Sequence, residues 1–181
     1  MLVISYGTMV MIISAIWCIN RAVIWTKNKK MDWKRELQLL LVYLCIVVIV
    51  RFTFFPFGTV DGKIQPLILD IKKIVPFRIN LLPFVYLFDY EIINEALLNF
   101  VGNTLMFVPV GIVFPIVYKN LNTHIKVIVA GVGFSLIIEI LQLPFYDRVS
   151  DIDDLILNSL GYILGYLSYL LVKGRKNKIK L

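Results

Sequence analysis

Residues 135–165 read SLIIEILQLPFYDRVSDIDDLILNSLGYILG, two apolar helical segments that meet across a short charged link. Ser135, Glu139 and Gln142 follow one another at spacings of four and three, and Asp151, Asp154 and Asn158 at three and four. Each trio therefore lies on one face of its own helix or helix end. Between the trios stand Asp147, Arg148 and Asp153, so the link holds four carboxylates beside a single guanidinium. Carboxylates within sequence this apolar are costly in lipid, and an ionisable group there marks a functional site whose partners have to be found.

The lipid setting follows from composition. Hydrophobic residues make up 59% of the 181 and charged residues 17%, far from the balance of a soluble globular domain. Five apolar stretches are long enough to cross a bilayer: Leu2 to Ile19, Leu37 to Phe55, Leu97 to Tyr118, Val127 to Phe145 and Leu155 to Val172. The predicted fold class is all-α, a polytopic membrane helix bundle of about five transmembrane helices. Its parts are an N-terminal two-helix hairpin over 1–55, an extracytoplasmic or interfacial segment over 56–96, a three-helix core over 97–172 and a basic tail over 173–181. The segment from Pro56 to Ala96 is too long for an idle connection and reads as a membrane-surface or re-entrant piece. Gly58, Asp61 and Gly62 mark a turn within it, and apolar residues at Leu67 to Val75 and Leu82 to Phe88 stand among or beside charges.

The net charge of +7 would suit nucleic acid, but its distribution points to a membrane. Arg21, Lys27, Lys29, Lys30, Lys34 and Arg35 crowd the first link, Lys119 and Lys126 bracket the third, and Lys173, Arg175, Lys176, Lys178 and Lys180 fill the tail. In the second link Lys63, Lys72, Lys73 and Arg78 are outnumbered by Asp61, Asp70, Asp89, Glu91 and Glu95. The positive-inside bias then predicts a multi-pass cell-membrane protein with its N-terminus outside and its C-terminus in the cytoplasm. No nucleic-acid partner is expected.

The first span has no basic residue before it and no small-residue cleavage site after it, so it reads as a retained helix. Cys18 and Cys45 fall inside spans as small hydrophobes, and the bulky Trp17 argues against lipoprotein processing at Cys18. Trp17, Trp25 and Trp33 flank the inner boundary as headgroup-level anchors. Arg51 either snorkels outward or serves as counter-ion to Glu139. Asn80 either caps a helix, with Pro83 in its first turn, or belongs to the site. Asn99 and Asn103, four apart, are by themselves interhelical glue. Pro109 and Pro115 imply a kink, and Gly161 and Gly165 let a neighbouring backbone approach.

Depth favours a site over scattered glue. With the expected topology Asn103, Glu139 and Asn158 all fall within about 6–9 Å of the outer interface, at 1.5 Å per residue. Polar faces of three helices at one level on one side are not required by independent packing contacts. The competing reading is an ion-pair network of Arg148 with Asp151 or Asp154 that ties the link down.

The run of motifs resembles the VanZ-like family of membrane proteins, named for a protein associated with teicoplanin resistance. The residues that carry the resemblance are Asn80 to Phe84; Asn99, Gly102 and Asn103 followed by Phe107, Pro109 and Gly111; Ser135, Glu139 and Gln142; and Arg148, Asp151, Asp154, Asn158, Gly161 and Gly165. They span roughly the C-terminal 100 residues, leaving the first two helices to hydropathy alone. The resemblance implies a small multi-spanning bacterial envelope protein and no defined reaction. The site expected from residues and resemblance together comprises Asn80, Asn99, Asn103, Ser135, Glu139, Gln142, Arg148, Asp151, Asp154 and Asn158.

Two classes of function fit. One is a protein that binds a membrane lipid, a glycopeptide or a cell-wall precursor and alters glycopeptide susceptibility. The other is a membrane-embedded enzyme modifying a lipid headgroup, with Glu139 or Asp154 as acid or base and Arg148 holding a phosphate. His124, the single histidine, reads as a cytoplasmic loop residue, which leaves no Ser-His pairing and no Cys/His metal spacing. Paired carboxylates are able to collect a divalent metal, but no cofactor is called for.

Overall fold

Helix formation follows the apolar runs, and the caps decide where each helix begins. The computed structural model describes all residues except 29–30, 57, 70–74, 76–77, 85–92 and 179–181, with the backbone alone at 93–96 and 175–178. Its helices are α1 (Tyr6–Asn28), α2 (Trp33–Phe54), α3 (Ile93–Val117), α4 (His124–Gln142) and α5 (Ile152–Lys178). All five are long and apolar enough to cross a membrane. Short strands β1 (Leu2–Ile4), β2 (Thr59–Val60), β3 (Lys63–Ile64), β4 (Leu67–Leu69), β5 (Ile79–Asn80) and β6 (Ser150–Asp151) lie between or before them. The all-α fold expected from hydropathy is what forms.

The bounds differ from the hydropathy reading most at the first span. Leu2–Ile4 is a strand rather than the start of a helix, paired antiparallel with β4 as Leu2↔Leu69, Val3↔Ile68 and Ile4↔Leu67. Ser5 is the cause: its Oγ accepts the Thr8 N–H at 3.1 Å and its carbonyl that of Met9 at 3.0 Å, which fixes the first turn. At its other end α1 continues past Arg21, whose charge is met by Glu36 of α2. Asp32 starts α2 four residues early, because its Oδ1 accepts from the N–H groups of Lys34 and Arg35 at 3.0 and 3.2 Å. Thr123 does the same for α4 through Lys126 N–H at 3.3 Å. That helix stops at Gln142: Leu143 still has helical φ and ψ and donates to the Ile140 carbonyl, but Pro144 has no N–H with which to continue the ladder.

Two compact units result. The first, residues 1–77 with 144–148, contains the α1–α2 hairpin. Ser14 and Tyr43 share a hydrogen bond of 2.7 Å across it, and the Trp17 ring lies 5.4 Å from that of Tyr43. Asp61 and Gly62, with φ of 51° and 71°, form the expected turn as a two-residue loop between β2 and β3. Of the two apolar runs beyond it, Leu67–Leu69 becomes β4, while 70–74 and 85–88 lie outside the described residues.

The second unit, residues 78–143 with 149–181, contains α3, α4 and α5. α3 and α5 touch backbone to backbone. A Cβ added at Gly161 would overlap the Thr104 carbonyl, one at Gly165 the Val108 carbonyl and one at Gly111 the Tyr162 carbonyl. The glycines therefore perform the packing role that their spacing implies. Pro109 and Pro115 sit inside α3. They deprive the Leu105 and Gly111 carbonyls of their helix donors, since proline has no N–H. Tyr162 fills the space left by Gly131 of α4 and meets the Phe114 ring edge-on at 5.8 Å. Phe134 adds contacts to Phe107 and Phe114 at 5.9 and 5.4 Å.

Candidate functional site

The start of α5 organises the polar residues of the second unit. Asp151 immediately precedes the helix and caps it: its Oδ1 accepts the Asp153 N–H at 2.9 Å. Its Oδ2 accepts from Asn80 Nδ2 at 3.1 Å, and its own N–H donates to Glu139 Oε2 at 3.0 Å. One residue thus joins the ends of α4 and α5 to β5. The parallel pairing Ile79↔Ser150 and Asn80↔Asp151 sets that register, reinforced by the Ser150 N–H donating to the Arg78 carbonyl at 3.0 Å.

Asp153 accepts the Phe84 N–H with both oxygens, at 2.9 and 3.0 Å. Phe84 has φ of 60°, a left-handed conformation uncommon for a non-glycine residue, so this contact holds a strained turn in place. One residue on, Asp154 Oδ1 accepts from Asn103 Nδ2 of α3. A turn further along α5, Asn158 Nδ2 donates to Ser135 Oγ of α4 at 3.1 Å. Asn158 and Ser135 are wholly buried, and Glu139 is 3% exposed.

The structure therefore brings together Asn80, Asn103, Ser135, Glu139, Asp151, Asp154 and Asn158 within two turns of α5. Gln142 is buried at the last residue of α4. Asn99 is left exposed on α3, one turn before Asn103, so of the two asparagines the second carries the interhelical contact. Asn80 accepts the Leu82 N–H at 3.1 Å while it donates to Asp151, which makes it a turn-former and strand partner. Arg148 belongs to the first unit, where its Nε donates to the Phe54 carbonyl at 2.7 Å. In the same unit Phe145 pairs with Leu69 and the Tyr146 N–H donates to the Ile68 carbonyl at 3.0 Å. Those contacts favour an anchoring task for Arg148. Arg51 donates to the Pro56 carbonyl at 2.8 Å and lies over the Tyr6 ring, 5.9 Å from its centroid.

Asp153 and Phe84 were not singled out by the spacing of polar residues. The signal for Asp153 was present as an acid in the first turn of a helix, where it also suits the helix dipole. For Phe84 the contact is made by backbone, which no side-chain pattern records. His124 opens α4 rather than lying in a loop, and its Nδ1 is 2.9 Å from the Tyr166 hydroxyl.

Chemically the cluster is rich in acceptors. Glu139, Asp151, Asp153 and Asp154 are held by backbone N–H groups and amides, so their oxygens are fixed in direction before any ligand arrives. Among the described residues, no three of His, Cys, Asp and Glu are grouped to hold a metal ion. The Asn158 Oδ1 and the Tyr162 hydroxyl are buried without a hydrogen-bond partner among the described residues.

No curated protein and no solved structure matches the chain. A family model described as VanZ/LLP1 matches residues 40–173, well over half of the sequence. The match runs from within α2 to near the end of α5, which extends the resemblance of the C-terminal motifs back into the second helix. With five membrane-length apolar helices, the chain is a membrane protein and belongs to the VanZ/LLP1 family.

Proposed function

We propose that the acidic cluster at the start of α5 binds the polar part of an envelope lipid or a lipid-bearing glycopeptide, and that the protein thereby modulates susceptibility to teicoplanin. The observation that carries this reading is the burial of Glu139 in a network that joins α3, α4, α5 and β5. A purely structural cap would need Asp151 alone. A carboxylate kept in an apolar protein at 3% exposure is costly and is retained where it serves a ligand.

Glu139→Gln and Asp154→Asn test it, because each keeps an oxygen to accept the existing N–H while removing the charge. The expected result is normal membrane abundance, since the hydrogen bonds retained leave at most about 1 kcal/mol to lose, together with loss of most of the protein-dependent change in teicoplanin susceptibility. Unaltered susceptibility in both variants would refute the reading. A new or missing lipid species in membranes containing the wild-type protein would transfer the same residues to an enzyme.

The proposal has the cluster facing outward, with the N-terminus outside and the C-terminus in the cytoplasm, supported by the alternation of basic links. A cysteine replacing Asp147 is then labelled in intact cells by an impermeant maleimide. Labelling only after permeabilisation would reverse the orientation.

A further inference from the structure

Arg21 and Glu36 meet across the α1–α2 hairpin, Arg21 Nε donating to Glu36 Oε2 at 2.8 Å and Nη2 donating to Oε1. Arginine has five N–H donors, and Nη1 of Arg21 has no hydrogen-bond partner among the described residues. Two grooves share this pair and Trp25 as a common wall. The first, of about 360 Å³, is completed by Trp17, Cys18, Trp33, Leu37 and Leu40 and is almost wholly apolar. The second, of about 440 Å³, adds the polar side chains of Asn20, Asn28, Asp32 and Arg35.

We propose that this end of the hairpin binds one anionic glycerophospholipid, its acyl chain along the Trp17–Leu40 groove and its phosphate in the Asn28–Arg35 groove against Arg21. The first groove is apolar and the second adds most of the polar side chains beside Ile24 and Leu39, a gradient that suits an amphiphile. Within the groove Arg21 and Arg35 stand beside Asp32 and Glu36, so the preference for an anionic headgroup comes from the sequence around it, residues 20–36 carrying six basic side chains against two acidic. Depth agrees, since Arg21 lies seven residues from the end of α1, about 10 Å at 1.5 Å per residue, where basic side chains reach the phosphate level. Ile16, Ile19 and Val23 of α1 are exposed, so the helix presents an apolar face to the lipid around the site. Nearly all of these residues precede position 40, where the family match begins, and all lie in the first unit. The inference is therefore independent of the acidic cluster.

The test is native mass spectrometry of the purified full-length protein titrated with phosphatidylglycerol or phosphatidylcholine of identical chains. One phosphatidylglycerol should be retained, at least about fivefold tighter than phosphatidylcholine, the factor that a single engaged basic side chain supplies. Leu40→Trp fills the apolar groove without altering charge and should release most of the retained lipid. Arg21→Met with Glu36→Met keeps net charge and hydrophobic volume and should abolish the preference between headgroups. Thermal unfolding checks that both variants are folded, and if the double variant is not, Leu40→Trp decides. Equal retention of the two lipids overturns the proposal. So does undiminished phosphatidylglycerol binding in Leu40→Trp, which would mean a diffuse electrostatic film, and so does a dimer that excludes phospholipid.

Discussion

Gly161→Ala is expected to prevent accumulation of the folded protein in the membrane. The added methyl would overlap the Thr104 carbonyl oxygen and lie 2.8 Å from its carbon, and both atoms are helix backbone that cannot rotate away. α3 and α5 would have to separate, and the seam is continuous: Gly165 against Val108 and Gly111 against Tyr162 would lose their contacts in the same movement. Overpacking a side-chain core costs about 1–3 kcal/mol. A clash between two backbones lies at or beyond the upper end, because no rotamer absorbs it. Gly133→Ala is the control, since a Cβ there meets nothing within 4 Å. Being a helix interior, that site should lose nothing and gain up to about 1 kcal/mol from helix propensity. Membrane abundance and thermal unfolding in detergent decide the matter. Wild-type behaviour of Gly161→Ala would mean that the two helices do not pack through this face.

The second large effect belongs to the hairpin. Arg21→Ala is expected to destabilise the first unit by about 2–4 kcal/mol, the cost of stranding one charge of a buried pair after a discount for partial exposure. The side chains of Arg21 and Glu36 are 10% and 15% exposed, so neither is able to recover full hydration when its partner is lost. Glu36→Ala should cost a similar amount. The paired replacement by Met should restore most of it, because a volume-matched apolar contact removes both desolvation penalties. A double variant as unstable as the sum of the singles, measured by thermal unfolding, would show that the two residues act independently.

Much of the fold was legible because transfer into lipid is a local property of a segment. A run such as Ile128 to Ile138 is apolar enough to be helical in a membrane whatever surrounds it, and five such runs set the architecture. Spacing also carried local geometry. Ser135 and Glu139 share a face of α4, Asp154 and Asn158 one of α5, and Gly161 and Gly165 open the same helix to a neighbour, all because 3.6 residues make a turn.

Pairing between segments was not legible, because it depends on the registers of two helices at once. Asn99 and Asn103 are equivalent in sequence. Only the depth to which α3 enters the glycine seam of α5 puts Asn103 against Asp154 and leaves Asn99 outside. Arg21 read as the charge that ends a span until Glu36, fifteen residues on, neutralised it within the hairpin. Leu2–Ile4 read as membrane-grade, yet the strand Leu67–Leu69 claims its backbone once Ser5 has started α1. The sequence by itself determined that five runs are apolar enough to cross a membrane and which polar residues share a helix face, since both follow from a single segment's chemistry. The tertiary structure decided which carboxylate meets which N–H, because a hydrogen bond about 3 Å long cannot be assigned until both of its chains have been placed.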